Sequence, residues 1–150
     1  MKNALKTFDD LNFNPHPHAK DMGVSASITL DNGYSLSVVA NAEGGDCFYG
    51  NHPHTYEVAV FNQRGDFVPL ALCDDVIGWQ LPHQVTALMQ QFQLDGVNHE
   101  KLLINLRADF NDKLIEKQKK RINAWLLNQI LVYYILNQKN YYDKTTKKAK

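Results

Sequence analysis

The chain has 150 residues, of which 44% are hydrophobic, enough to build one domain with its own core. No stretch reaches the ~18 consecutive apolar residues of a membrane-spanning helix, and the first residues lack the apolar run of a secretory signal. These features exclude a spanning helix and indicate a cytoplasmic protein.

The net charge of zero conceals a division between two halves of the chain. Residues 1–96 carry four basic and eleven acidic side chains, a net charge of −7. Residues 97–150 carry twelve basic and five acidic side chains, a net charge of +7. Such asymmetry indicates two surfaces with different partners, or two halves that attract each other.

Alternating apolar residues predict antiparallel strands in the acidic half. Ser25–Leu30 and the stretch after Tyr34 alternate with period two, and Asp31-Asn32-Gly33 between them predicts a type I′ hairpin turn. Residues 41–54 contain three glycines and a proline and predict a long loop.

A second hairpin is predicted over Thr55–Leu70, with alternation at Tyr56, Val58 and Val60 and a polar connection from Asn62 to Asp66. Phe67–Leu72 is predicted to return as its second strand, and Asp74–Trp79 to form a short turn-like link. Adjacent aspartates at this position are more typical of a turn than of a magnesium or acid–base site.

A helix is predicted to begin at Pro82 and to end at Gly96, with an apolar stripe formed by Val85, Leu88, Met89 and Phe92. We therefore expect an α+β fold: a small antiparallel meander of about four strands, covered by this helix. Residues 1–96 would form an acidic body.

Residues 97–150 contain neither glycine nor proline and predict a basic helical extension that ends in a disordered tail. It is either one helix from about 99 to 140, or two helices that separate in the polar stretch 116–121. Its second half is rich in large apolar side chains, which predict a partner-binding face and a homodimer: Ile122, Trp125, Leu126, Ile130, Val132, Tyr133 and Leu136.

The basic residues of the extension offer a second hypothesis, contact with nucleic-acid phosphates. The residues concerned are Lys113, Lys117, Lys119, Lys120 and Arg121. A solvated helix face, with Glu116 and Lys120 as an ordinary ion pair, explains the same residues and is favoured because the other half of the chain carries −7.

Two His-Pro-His triplets offer a third hypothesis, a metal site. His16, His18, His52 and His54, with Cys47 nearby, are all zinc-binding residue types, but their spacing matches no known zinc motif. We therefore predict no metal and no cofactor. Because the sequence also lacks a nucleophile elbow and a phosphate-binding glycine loop, it favours a protein without enzymatic activity.

Five short motifs follow one another between residues 8 and 94: Phe13-Asn14-Pro15-His16-Pro17, Asp31-Asn32-Gly33-Tyr34-Ser35-Leu36-Ser37-Val38-Val39, Tyr49-Gly50, Tyr56-Glu57-Val58-Ala59-Val60 and Asp74-Asp75-Val76-Ile77-Gly78-Trp79. Together they resemble a family of small proteins that phages and prophages encode. The family has no assigned activity, so the resemblance implies no site residues. It implies an accessory protein that acts in the cytoplasm of a bacterial host. Residues 52–55 and 97–150 depart from the family's pattern.

These observations favour a non-enzymatic accessory protein that binds and modulates a host protein. An inhibitor of a bacterial defence system, of the anti-CRISPR kind, suits the small size and an acidic body that imitates nucleic acid. The alternatives are a nucleic-acid-binding accessory protein that uses the basic helix, and a small metal-dependent enzyme that uses the histidines.

Overall fold

The computed structural model describes residues 4–147, and their side chains as far as residue 129. A short 3-10 helix, Phe8–Asp10, precedes five strands: β1 (Asn14–His16), β2 (Ala19–Thr29), β3 (Ser35–Asn41), β4 (Tyr56–Phe61) and β5 (Val76–Gln80). The strands form one antiparallel sheet in sequence order, and helix α1, Pro82–Lys147, follows it. The predicted α+β meander with a long C-terminal helix is confirmed, with five strands in place of about four.

The core lies between one face of the sheet and the start of α1. Alternate residues of β2, β3 and β4 point to this face, and the strand register aligns Ala26, Val38 and Val58 side by side. The predicted apolar stripe of the helix meets them, with its central residues fully buried: Val85, Met89 and Phe92. The opposite face of the sheet is polar, because serines occupy the alternate positions of β2 and β3.

The hairpin between β2 and β3 is present, but its predicted turn type is wrong. Gly33 has a positive φ of 88°, whereas Asn32, which a type I′ turn would also place at positive φ, does not. The Leu30 N–H donates to the Tyr34 carbonyl (2.7 Å) and the Gly33 N–H donates to the Leu30 carbonyl (3.0 Å). The connection is therefore a three-residue loop with glycine at its left-handed position.

The return strand of the second hairpin is not Phe67–Leu72. Phe67 forms only an isolated bridge with Phe61, and the chain then leaves the sheet at Pro69, which has no N–H to donate. The sheet is instead completed by β5, within the stretch predicted as a link. Gly78 in the middle of that stretch indicated a turn, but it forms part of a β-bulge.

Helix α1 is interrupted near the predicted boundary at Gly96. Asp95 has non-helical backbone angles, φ −153° and ψ 46°, so helical segments lie on both sides of it. A β-carbon at Gly96 would lie 2.7 Å from Cε2 of Tyr34, closer than real contacts allow. The glycine therefore lets the second helical segment start against a buried aromatic ring.

The chain divides into two compact units, Met1–Ala108 and Asp109–Lys150. The first unit extends twelve residues beyond the predicted body of 1–96; the independent folding of that body stays a prediction. The polar stretch 116–121 is helical throughout, so the alternative of two helices that separate within it is wrong. The predicted disordered tail of 144–150 is wrong in its first part, because helix α1 continues to Lys147; residues 148–150 lie outside the described part of the chain. Within residues 4–147, no helical stretch combines the length and the hydropathy needed to cross a bilayer.

Candidate interaction surfaces

The helical segment from 109 to 129 carries a row of large apolar side chains along one side. At 100° per residue, Leu114, Ile115, Ile122, Trp125 and Leu126 fall within about a third of the helix circumference. All five are exposed, and Trp125 retains 61% of its accessible surface. This apolar helix side thus has no covering element among the described residues of its own unit.

Three of the predicted partner-binding residues, Ile122, Trp125 and Leu126, belong to this side. The other four predicted members lie outside the described side chains: Ile130, Val132, Tyr133 and Leu136. Ile115 was missed in the sequence although it lies seven residues before Ile122, a spacing that returns to the same side of a helix. Leu127 is also exposed, at 67%, but it lies on a different side of the helix.

The basic residues of the segment form a second side. Lys113, Lys117, Lys120 and Arg121 are spaced by four, three and one residues, so they share one side of the helix, whereas Lys119 lies apart from them. All five are exposed, and within the described part of the chain none forms an ion pair. The predicted pair between Glu116 and Lys120 is not among the observed ion pairs.

In the first unit, Glu100 joins α1 to both hairpin turns. Its Oε2 accepts a hydrogen bond from the hydroxyl of Tyr34 at 2.6 Å, and its Oε1 accepts one from Nδ2 of Asn62 at 3.0 Å. Burial, and then the hydrogen bond and negative charge of Glu100, raise the pKa of Tyr34 to about 12. The arrangement is structural, because the Tyr34 ring is almost wholly buried and its hydroxyl is fully used.

Arg107 holds the segment that leads into β5. Its guanidinium donates to the Asp75 carboxylate (2.6 Å), to the Ala71 carbonyl (2.7 Å) and to the Asp74 carbonyl. The Asp74 carboxylate meanwhile accepts the N–H groups of Asp75 (2.7 Å) and Val76 (3.3 Å). The two aspartates therefore act as turn residues, in the way their sequence context favours.

The long loop after β3 folds around the side chain of Asn41, which is almost wholly buried. Its Oδ1 accepts the N–H groups of Cys47 (2.7 Å) and Phe48 (2.9 Å), and its Nδ2 donates to the Phe48 carbonyl (2.7 Å) and to Oδ1 of Asn51 (3.2 Å). One amide thus fixes the part of the loop that leads to Tyr49.

Tyr49 is bound to the bulge in β5. Gly78 and Trp79 together face Glu57 of β4; the Trp79 N–H donates to the Tyr49 carbonyl at 2.6 Å, and the Tyr49 N–H donates to Oε2 of Glu57 at 2.9 Å. A β-carbon on Gly78 would lie 2.3 Å from Cβ of Tyr49, so strand β5 and the loop residue Tyr49 are in direct contact. We call Tyr49, Glu57 and Trp79 the bulge surface.

The bulge surface was missed in the sequence, and its backbone is unusual. Trp79 has a positive φ of 58°, a conformation that costs a bulky residue about 1–3 kcal/mol. Both aromatic side chains are nevertheless mostly exposed, Trp79 at 56% and Tyr49 at 60%. Because the bulge is a tertiary feature, the alternation of apolar residues could not predict it.

The histidines have aromatic neighbours. The His16 ring lies 4.8 Å from that of Phe48, and the His52 ring lies 5.6 Å from that of Phe13, while Nδ1 of His52 is 3.1 Å from the Tyr56 hydroxyl. Among the residues that the structure describes, no three potential metal ligands from His, Cys, Asp and Glu come together.

A shallow groove of about 570 Å³ lies beside β1, on the polar face of the sheet. Its lining contains polar side chains, including His16, Ser25, Ser27 and Ser37, and no Asp, Glu, Lys or Arg. The groove therefore brings together no acid–base pair of the kind that general catalysis requires.

Comparison of the chain with protein-family models, with curated proteins and with solved structures finds no match.

Proposed function

We propose that the protein is a non-enzymatic accessory protein, of the kind that phages and prophages encode, and that it binds and modulates a protein of a bacterial host. Binding another polypeptide is the activity that the exposed surfaces support best. The observation that carries binding of another polypeptide is the apolar helix side, which is exposed throughout the described segment from 109 to 129. Contact with the host protein itself is assigned to the acidic first unit. Burial of one large apolar side chain stabilises by about 1.5–3 kcal/mol, so an exposed row of five favours association.

The first partner of the apolar helix side is a second copy of the chain. Two identical rows can face each other about a two-fold axis, which closes the assembly and buries both rows at once. The polar residues that interrupt the row, such as Gln118, fix the alignment of the two helices as polar positions do in coiled coils. The dimer then presents two acidic units to the host protein.

The acidic unit supports an anti-defence role. Residues 1–108 carry six basic and twelve acidic side chains, a net charge of −6. A host protein that binds nucleic acid has a positive surface, and an acidic protein competes for such a surface through the same long-range attraction. An inhibitor of a defence nuclease, of the anti-CRISPR type, is the form of modulation that this charge fits.

Light scattering with size exclusion tests the association. We expect the unmodified protein to have twice the chain mass of 17.2 kDa. Trp125→Asp combined with Leu126→Asp should give monomers, because each aspartate places a charge in the buried row. Leu127→Asp is the control for each single substitution: it adds one aspartate next to these positions, on a different side of the helix, and should leave the dimer intact. An unmodified protein of 17.2 kDa would contradict the proposed association.

Host binding needs a second measurement. Purified protein should retain a bacterial nucleic-acid-binding protein from nuclease-treated lysate, and should inhibit the binding of that protein to its own nucleic acid. Loss of the captured protein on nuclease treatment would show that nucleic acid, and not the chain, had bridged the two.

A nucleic-acid-binding function is the second candidate, because four cations share one helix side and form no ion pair in the described chain. If four phosphates are neutralised, the logarithm of the affinity for duplex DNA should fall with the logarithm of salt concentration with a slope of about −3.6. Lys117→Glu and Lys120→Glu, made singly, should each weaken binding more than Lys119→Glu, which lies outside this side. Equal effects of all three charges would contradict a defined basic side. No observation in the described structure favours the metal-dependent enzyme.

A further inference from the structure

We propose that the bulge surface is a binding site for an arginine-bearing segment of a partner protein. Tyr49 and Trp79 would cover the guanidinium with their rings, and Glu57 would supply the counter-charge. The inference deepens the proposed function, on which it rests for the partner being a protein, and all three of its residues belong to the first unit.

The first argument is the conformation of Trp79. A bulky residue at positive φ strains the backbone, and glycine adopts the same angle freely. Burial does not explain the choice of tryptophan, because more than half of the side chain remains in contact with solvent, at 56% exposure. Strained residues of this kind concentrate at sites that bind ligands or partners.

The second argument is that the two aromatic residues are held in fixed positions. The main chains of Tyr49 and Trp79 are joined by a hydrogen bond, and Tyr49 packs directly against Gly78. Asn41 fixes the loop immediately before Tyr49. Exposed rings on a rigid backbone lose little conformational entropy on binding, and for this reason tryptophan and tyrosine dominate the energetics of protein interfaces.

The third argument is charge. Between residues 21 and 100 there are ten acidic side chains and one basic side chain, Arg64, which pairs with Asp66 at 3.1 Å. Glu57 is hydrogen-bonded to the main chain of Tyr49 and has no cation within 4.0 Å in the described part of the chain. Its Oε2 is occupied by the Tyr49 N–H, and its Oε1 accepts no hydrogen bond from the described residues.

Together these groups select arginine. A guanidinium is planar, stacks on aromatic rings and donates several N–H groups in fixed directions, so it can contact an indole or phenol ring while bonding to Oε1 of Glu57. Lysine provides the charge without the planar stacking group. Arginine is also abundant on surfaces that bind nucleic acid, which are the surfaces that the proposed function requires the partner to have.

The test uses the full-length protein and a dye-labelled peptide of alternating glycine and arginine, with fluorescence anisotropy as the readout. Peptides in which lysine or glutamate replaces arginine are the matched probes. We expect saturable binding of the arginine peptide, weaker binding of the lysine peptide and no binding of the glutamate peptide. Trp79→Ala and Tyr49→Ala should each weaken arginine binding about tenfold, and Glu57→Gln about threefold. Glu57→Gln retains an acceptor for the Tyr49 N–H, so it leaves the loop in place.

Two controls separate this site from general attraction to an acidic protein. Leu72→Ala removes an apolar side chain that is exposed elsewhere in the first unit, at 46%, and should leave the affinity unchanged. Circular dichroism should show that all variants are folded. Absence of arginine binding, or equal affinities of the arginine and lysine peptides with no effect of Trp79→Ala, would overturn the inference.

The experiment also separates failure of this inference from failure of the proposed function. Trp125→Asp with Leu126→Asp should leave peptide binding unchanged, because those residues belong to the second unit and not to the bulge surface. Dimer formation and host capture without peptide binding would refute the proposed arginine site and leave the proposed function standing. Peptide binding by a chain that captures no host protein would support the arginine site and contradict the proposed host-modulating role.

Discussion

Replacement of the half-buried Glu100 by alanine should destabilise the first unit more than replacement of any exposed residue in the same turn of α1. The carboxylate accepts hydrogen bonds from Tyr34 at 2.6 Å and from Asn62 at 3.0 Å, and each donor belongs to a different hairpin turn. Removing it leaves the hydroxyl of a tyrosine that is 1% exposed without its acceptor.

The magnitude follows from these two contacts. A hydrogen bond to a charged group contributes about 1.5–3 kcal/mol, and a buried hydroxyl left without a partner adds a penalty of about 1–3 kcal/mol. Asn62 keeps a second carboxylate partner, Asp66 at 3.5 Å, which offsets part of the loss. Alanine also gains a few tenths of a kcal/mol in helix propensity. We therefore expect a loss of about 3 kcal/mol. Glu100→Gln, which keeps one acceptor, should lose about half as much.

Urea denaturation followed by near-ultraviolet circular dichroism measures this loss, because buried tyrosines such as Tyr34 contribute to the signal. Lys101→Ala is the control: it changes the adjacent, exposed residue of the same helix and should stay within about 0.5 kcal/mol of the unmodified protein. A Glu100→Ala variant as stable as the Lys101→Ala variant would refute the reasoning, and would show that the residues after Gly96 contribute little to the first unit.

Three further predictions follow from the same unit. Truncation after Ala108 should give a cooperatively unfolding protein in urea, whereas truncation after Gly96, which removes Glu100 and Arg107, should lower the midpoint clearly; equal midpoints would support the boundary predicted from sequence. Because the pKa of Tyr34 is raised from 10.0 to about 12, the stability that its neutral form contributes is complete below pH 10 and is lost as the pH rises toward 12. Tyrosinate absorbance of the unmodified protein and of Tyr34→Phe, measured against pH, should differ by one tyrosine that ionises near pH 12. A difference that appears near pH 10 would contradict this assignment. Trp79→Gly should be more stable than Trp79→Ala by about 1 kcal/mol in thermal unfolding, because only glycine adopts the positive φ without strain; the reverse order would contradict the backbone assignment.

The regular parts of the fold were predictable because each follows a local period. Val58 and Val60 alternate as a strand requires, and Val85, Met89 and Phe92 recur as a helix requires, so the meander and its covering helix could be inferred without tertiary information. The site of the helix break was also predictable, since Gly96 is unsuited to a helix interior.

Strand β5 and the bulge surface could not be predicted, because their cause lies elsewhere in the chain. Gly78 indicates a turn when it is read alone, and only the close approach of Tyr49 explains why a strand needs glycine at that position. The same limit applies to Glu100, whose role depends on two hairpin turns that are distant in sequence. The apolar helix side was predicted in part, since Ile122, Trp125 and Leu126 have helical spacing, whereas the part beyond residue 129 stays a prediction.

The arrangement around Asn41 has a consequence for protein engineering. Its amide bonds only to main-chain groups of Cys47 and Phe48 and to the side chain of Asn51, so the course of the loop does not depend on the side chains of residues 42–46. Of these five positions, Ala42, Glu43 and Asp46 should accept new side chains. Gly44 should not, because its φ is +79°, and neither should Gly45, where a β-carbon would lie 2.0 Å from the Met22 carbonyl oxygen. The loop can therefore serve as an attachment position for a fluorescent label or a short epitope, a few residues from Tyr49, while the Asn41 amide and the main-chain hydrogen bonds of the loop hold its course.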